Sequence, residues 1–547
     1  MKTLYMSIIT ALLVLSTFSC SEFLEEDPKG QLAQTTFFGS ESDLDLALNA
    51  LYKQVANRQA TNEGQVHMWA GDDLTTHPAS NKEDFREFDR SQVTENSNRL
   101  AISWRLAYRV IKAANYIINH ADKLTGDDER INGRVKTTIA QAAYWRGFCY
   151  FQLSRCWEKV PIILEDEMNY EAPLSSPEEI MEQAINDLKI AEADLPVQWT
   201  SAPYAQGGMN IAVSQGAAKA TLAYVYLSYA GWPCHKTEYY AQAASKAKEV
   251  IDASDRGDYY YQLLDEYRKV YSWEYNYKNT EVLLATYYNL TTQSAMSTFC
   301  DIIEDIDGSG WHDSGAEIKF WKNFPEGPRK EATFAPKTLL RGELQDWWWD
   351  PNYGTSSGRV VCNPWYLAAC EGARGTEFDY TKGNSQGGGY TGEKSHKTIR
   401  LSEVYCWYAE AVGRSGGNDP FAYEALNRVR TRAGLEPIAS GSLSPEGLAE
   451  AAYDEHGWEI AGYLWGSLAP RHHDMFRMFR VKDHFEFRKL NPEIEVAPGV
   501  FRKEKVEVTG TWDDIRMYAP YPSTDALLNP ELGRINEEIT ARLGGLR

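Results

Sequence analysis

Long stretches whose apolar side chains return every three or four positions limit what this chain can fold into more than any other feature. From Arg99 to Leu124 the positions Trp104, Tyr108, Ile111, Asn115 and Ile118 step by four, three, four and three, marking one face of a long helix. A second helix is expected over Thr138–Trp157. Ser176, Pro177 and Glu179 open a third with a capping box and a proline at the first helical position, and Ile180, Ala184, Leu188 and Ala191 carry its stripe onward. Ser214–Gly231 and Glu238–Ser254 form a further pair, alanine-rich where two helices can approach closely, and Leu401–Arg414 and Pro420–Ala433 form another.

Helix pairs of this size echo tetratricopeptide units, although no strict 34-residue repeat lies over them. Such units cannot bury their apolar faces alone and must stack. Between about 300 and 400 the helical period disappears. That stretch holds 14 of the 40 glycines together with Trp311, Trp321, Trp347, Trp348, Trp349 and Trp365. Long irregular segments inside compact proteins usually carry function. The expected fold is mainly α: tetratricopeptide-like helix pairs forming a scaffold, with a large loop-rich insertion at about 260–400 packed on it.

Of the 547 residues 43% are hydrophobic and 24% charged, which excludes disordered and fibrous classes. The formal charge of -21 repels phosphate backbones, so nucleic acid is excluded as a partner. Aromatic residues reach 13%, more than a core alone requires.

Residues 1–19 read as a secretory signal, with Lys2 as the positive start and an apolar run, Ile8 to Leu15, too short to span a bilayer. The signal ends at Ser19-Cys20 in a lipobox-like context, with Phe18 bulkier than usual, and Cys20 is expected to be lipidated; an ordinary cleavage site is the alternative. The other seven cysteines make no CxxC pair and read as buried small hydrophobes, with a Cys362–Cys370 disulfide as the alternative.

Several blocks in order resemble one family. They are CSEFLEEDPKG from Cys20, WRLAYRVIKAAN from Trp104, AQAAYWRGFCYFQLSRCW from Ala140, EVYCWYAEA from Glu403, ALNRVRTRAG from Ala425 and YAPYPSTDALLNPEL from Tyr518. Together they resemble the SusD/RagB family of surface glycan-binding lipoproteins over nearly the whole mature chain. One departure is local: where the family carries an Arg-aromatic-aromatic-Asp turn, this chain has Arg471, His472, His473 and Asp474. The resemblance implies an N-terminal SusD-like helical region at 20–260 and a C-terminal SusD/RagB-like region at 261–547. It implies a lipid anchor in the outer membrane facing the exterior, and no catalysis or cofactor. It also implies capture of a glycan for delivery to a SusC-like TonB-dependent transporter.

Sugar rings present apolar C–H faces beside hydroxyl edges, so capture calls for flat aromatic surfaces with Asp, Asn or Arg at the rim. Asp346, Trp347, Trp348, Trp349 and Asp350, with Tyr353 nearby, carry both chemistries. In an extended chain Trp347 and Trp349 share a face while Trp348 turns inward. Trp311 and Trp321 are further candidates. Tyr267 and Tyr271 keep helical spacing and read as packing, whereas Trp273, Tyr275 and Tyr277 alternate as a strand would. By position in the family, polar contacts fall ahead of the Trp104 helix, at Asp72, Asp73, Arg86 and Asn98. The structural alternatives are core packing for the rings and solvated charges for the rest.

Other patterns lack their context. The G-x-S-x-G strings at 354–358 and 383–387 and the G-x-G-x-x-G string at 387–392 lie in glycine-rich loop. Asp305, Asp307 and Ser309 suit a calcium loop whose twelfth position is Ala316 instead of glutamate. His472 and His473 lack the i, i+4 spacing of a helical zinc site and read as a structural turn. The rival function is a helical surface glycoside hydrolase using Asp346 and Asp350 beside an aromatic subsite. A transporter scaffold without glycan contact is a third class.

Overall fold

The computed structural model describes residues 37–544, apart from 61, 77–79, 168, 290–294, 297–313, 341–342, 349–362, 368–376, 378, 380, 382–390 and 463–465. Its frame is a row of helices. Helices α1 (Ser42–Gln59), α2 (Glu83–Asp89), α3 (Asn98–His120), α4 (Glu129–Leu153), α5 (Pro177–Asp194), α6 (Gln215–Tyr229) and α7 (Tyr239–Asp255) fill the N-terminal half. Within the row α1 packs on α3, and α3 to α7 each pack on the next.

The long helices begin where a side chain accepts from otherwise orphaned N–H groups. Ser97 accepts from Leu100, Asp128 from Arg130 and Ile131, and Ser214 from Ala217. Ser176 and Glu179 form the reciprocal capping box, with Pro177 at the first position. Small residues then set how closely the helices approach. A Cβ at Gly147 of α4 would stand 2.9 Å from the Ala184 carbonyl oxygen of α5, too close for any side chain. Ala184, Ala217, Ala220, Ala243 and Ala247 are all buried in the facing stripes.

After Asp255 the chain leaves the row. Short helices α8 (Tyr267–Val270), α9 (Ile318–Asn323) and α10 (Pro328–Thr333) lie in this excursion. The chain returns at α11 (Leu401–Arg414), which packs directly on α7. Residues 256–400 are therefore an insertion between two neighbours of the row, in agreement with the expected architecture. Helices α12 (Pro420–Arg432) and α13 (Pro445–Glu459) rest on α11, and α14 (Arg471–Arg477), α15 (Val481–Leu490), α16 (Ser523–Ala526) and α17 (Pro530–Gly544) follow.

Two devices fasten the insertion. Val282–Thr286 pairs antiparallel with His396–Arg400, with Thr286 opposite His396 and Val282 opposite Arg400. A buried charge network continues from there: Arg400 reaches Glu459 at 2.7 Å and Glu281 at 3.2 Å, while Arg329 of α10 reaches Glu455 at 2.7 Å and Glu459 at 3.0 Å. Arg432 pairs with Glu281 at 2.9 Å and also with Glu459. Buried carboxylates are tolerable when guanidiniums surround them in this way.

Tyr267 and Tyr271 pack as expected, buried with ring centroids 5.8 Å apart. The strand expected at Trp273, Tyr275 and Tyr277 is instead a turn. Tyr275 N–H donates to the Ser272 carbonyl and Asn276 N–H to that of Trp273, closing a 3₁₀ turn at Trp273–Tyr275 that alternation could not foresee. Cys149, Cys156 and Cys406 are buried free thiols; Cys362 and Cys370 lie outside the described residues. No helix among the described residues is long and apolar enough to cross a membrane.

Candidate functional site

Residues 71–75 begin the site. Leu74–Thr75 pairs antiparallel with Gly315–Ala316, and the Asp73 carbonyl accepts from Glu317 N–H at 3.3 Å and from the Tyr366 hydroxyl at 2.6 Å. This pairing brings the start of α9 beside Asp72. From the opposite side α14 supplies Arg471, whose Nε and Nη2 donate to the two oxygens of Asp72 at 2.7 and 3.1 Å. Gly457 of α13 makes room for that fork, because a Cβ there would stand 2.6 Å from Arg471 Nη1. The result is a cleft of about 260 Å³ whose walls include Asp72, Lys319, Phe320, Asp454, Trp458, Arg471 and His484.

The cleft combines aromatic side chains with charged, hydrogen-bonding groups. Phe320 and Trp458 line it together with carboxylates, among them Asp72 and Asp454, and cations, among them Lys319, Arg471 and Arg480. Burial pushes the Asp72 carboxyl up, but the Arg471 guanidinium outweighs it and holds the group below the ordinary carboxylate range, so it stays a charged acceptor. Asp73 behaves oppositely: burial raises it to about 7, with the charge of Asp72 adding to the effect. Burial raises Asp454 and lowers His484 to about 4, which leaves that imidazole neutral.

The indole cluster stands on another face of the same short helix. While Lys319, Phe320 and Asn323 of α9 line the cleft, Trp321 turns to Trp347 and Trp348, with ring centroids 5.4 and 5.6 Å away. Trp347 is only 3% exposed and packs with Ile318 and Val496, whereas Trp348 is half-buried. The expected facing is therefore reversed at these two residues. They sit in a turn after Glu343–Gln345 instead of an extended strand, and the turn sends Trp347 inward. Trp311, Trp349, Tyr353 and Asp350 lie outside the described residues, as do Cys20, both G-x-S-x-G strings and most of the calcium-loop pattern. Asp346 lies 4.0 Å from Lys337.

The polar candidates separate. Asp72 lines the cleft. Asp73 is buried beneath it and accepts from Gly462 N–H at 2.9 Å, which makes it a support for the wall. Arg86 pairs with Glu83 at 3.1 Å on α2, and Asn98 is exposed at the first position of α3; neither is among the residues that line the cleft. Two cleft residues fall outside the sequence expectation, Asp454 and Trp458. Their signal is an i, i+4 spacing that puts both on one side of α13. A larger cavity of about 480 Å³, walled by Tyr52, Trp145, Tyr204 and Tyr287 between α1 and the end of the Val282–Thr286 strand, contains none of the expected site residues.

Comparison with known proteins agrees with this architecture. Residues 22–227 match the family described as "Starch-binding associating with outer membrane", and residues 177–463 match the one described as "SusD family". A SusD-like protein of Bacteroides ovatus is 23% identical, with 97% of each chain covered. A SusD-like carbohydrate binding protein from Bacteroides fragilis superimposes with a TM-score of 0.71 at 16% identity, covering 91% of this chain and 100% of that one. A structure solved with xylogluco-oligosaccharide superimposes with a TM-score of 0.65 at 20% identity, covering 89% and 97%. These superpositions establish a shared fold.

Proposed function

The chain belongs to the SusD/RagB family, and from that premise we propose that it captures a glycan at the cell exterior and delivers it to a SusC-like TonB-dependent transporter, tethered to the outer membrane through lipidated Cys20. The family is one of non-catalytic glycan-binding proteins, so the ligand is held without being altered. The observation that carries the reading is the Asp72 cleft. There a forked ion pair and two aromatic side chains converge at the junction of the helical row and its insertion. Flat rings take the C–H faces of a sugar, and the charged rim takes its hydroxyls. Trp321 on another face of α9, with Trp348 of the neighbouring turn packed beside it, offers a further aromatic surface for neighbouring units of a polymer.

Two neighbours in fold support the ligand class: one is described as a carbohydrate binding protein, the other was solved with xylogluco-oligosaccharide. Which glycan this chain takes is a question for a glycan array, followed by a reducing-end assay on every hit. Binding without new reducing ends is expected. Release of reducing ends would favour the hydrolase built on Asp346 and Asp350. Loss of uptake without sugar affinity would favour the scaffold.

A further inference from the structure

A polar cluster buried away from the cleft has a charge imbalance. Arg155, just beyond α4, is fully buried. Its Nε and Nη2 donate to Ser154 Oγ at 3.3 and 3.2 Å, Nη2 also faces Met181 Sδ at 3.5 Å, and the guanidinium lies 4.9 Å from the Phe476 ring. Among the described residues no carboxylate pairs with it, and Nη1 has no hydrogen-bond partner. Arg58 of α1 is a second buried guanidinium; among the described residues it has no carboxylate partner and donates to Gln59 Oε1 at 3.2 Å. Arginine does not shed its proton to relieve such a burial, so the missing counter-charge has to come from elsewhere.

Three imidazoles stand beside these charges. His67 and His473 stack with centroids 5.1 Å apart and their Nε2 atoms 2.9 Å from one another. His473 Nδ1 is 3.1 Å from the Leu468 carbonyl, which can only accept, so that nitrogen carries the hydrogen. Its Nε2 then accepts from His67 Nε2–H, and His67 Nδ1 is left bare. His67 Nδ1 and His472 Nδ1 are both buried without a partner. His67, His472 and Arg155, with Cys156, Arg516 and Tyr518, line a cavity of about 20 Å³, room for one water-sized species.

Three meeting histidines invite a transition metal. Two uncompensated guanidiniums argue against it, because a dication would deepen an excess of positive charge that an anion removes. We propose that this cavity holds a single monovalent anion of halide size, chloride in ordinary buffers, as the counter-ion of Arg155. Arg155 Nη1–H and His472, in its Nδ1–H tautomer, donate to it. As the anion enters, the bare His67 Nδ1 takes up one proton and becomes a third donor. Among the described residues the titratable and charged groups around His67 are Arg58 from α1, Arg155 and Cys156 from the end of α4, His472 and His473 from α14, and Arg516 and Tyr518 across the cavity. None of them supplies a negative charge at neutral pH, so protonation waits on the anion.

The test uses the full chain and bromide. Crystals soaked in sodium bromide are expected to show an anomalous peak in the cavity. Exchanging sodium gluconate, too large to enter, for sodium bromide at equal ionic strength is expected to raise Tm by about 2 °C or more, and by more at pH 6 than at pH 8. Arg155→Met is expected to lose the difference between the two salts. If that variant does not fold, the wild-type comparison and the crystal still decide. An empty or water-filled cavity in bromide, or equal Tm in both salts, overturns the proposal. So does one equivalent of zinc that survives gel filtration and is lost in His473→Ala.

Discussion

Arg471 and Asp72, 399 positions apart, close a two-pronged ion pair at 2.7 and 3.1 Å on the wall of the cleft. The pair joins the segment ahead of α3 to the start of α14, and each oxygen of the carboxylate is engaged by a different nitrogen. Asp72→Asn keeps the shape and removes the charge. The expected result is glycan affinity weakened by about tenfold, the scale of one charge-assisted hydrogen bond. Isothermal titration on protein whose melting is checked beforehand measures it. Unchanged affinity would remove Asp72 from the site.

Trp347 and Trp348 are neighbours with opposite duties. Trp347 is sealed against Ile318 and Val496, so Trp347→Ala is expected to cost about 3–5 kcal/mol of stability. Trp348 keeps part of its ring accessible, and Trp348→Ala is expected to leave Tm nearly unchanged while costing about 1 kcal/mol of glycan binding. Denaturant melts and titrations on the two variants separate these effects; a stability loss in Trp348→Ala equal to that of Trp347→Ala would contradict the assignment.

Asp73 makes stability depend on pH. Its folded pKa of about 7 lies above the ordinary 3.8, so between these values the native state holds a proton that the unfolded chain gives up. The contribution is complete below about pH 4 and is lost as pH rises through 7. Glu504, raised to about 7 by burial and by Glu317, has the same sign. Asp73→Asn should therefore gain on wild type as the buffer goes from pH 5 to pH 8.5, by a few degrees in Tm. A difference that stays constant across that range would show that Asp73 is ionised in the folded protein throughout.

Glu459 is held by Arg329, Arg400 and Arg432, so it fastens the insertion to the helical row. Glu459→Gln leaves three buried guanidiniums facing a neutral amide. A loss of about 3–5 kcal/mol is expected, as when one partner of a buried pair is removed. Guanidinium chloride melts measure it, and limited proteolysis should show the insertion opening first.

Much of the helical row is legible without coordinates, and the site is much less so. The stripe through Trp104, Tyr108 and Ile111 and the box at Ser176 predict α3 and α5 to within a few residues, because burial on one face and capping are local events. Helix α4 begins at Glu129, well before its stripe at Thr138, since most of its first turns face solvent and leave no apolar period to read. The excursion from the row shows as loss of period and gain of glycine. Its strand with His396–Arg400 does not show, because the partners are more than a hundred residues apart. Asp72 is singled out only through resemblance to a family. Nothing near it in sequence announces Arg471, and the facing of Trp347 depends on a turn that alternation cannot reveal. Asp454 and Trp458 carry a readable spacing, but only the fold shows that this side of α13 borders a cleft and not the core.

The central claim is that the Asp72 cleft holds carbohydrate on aromatic surface and leaves it intact. Its most direct test is titration of an array-selected oligosaccharide into wild type and into Trp458→Ala, with the recovered sugar examined by mass spectrometry. The account predicts saturable binding in wild type, a loss of about fivefold or more in affinity in the folded variant, and recovered sugar of unchanged mass. Equal binding by both proteins, or sugar recovered as shorter products, would contradict it.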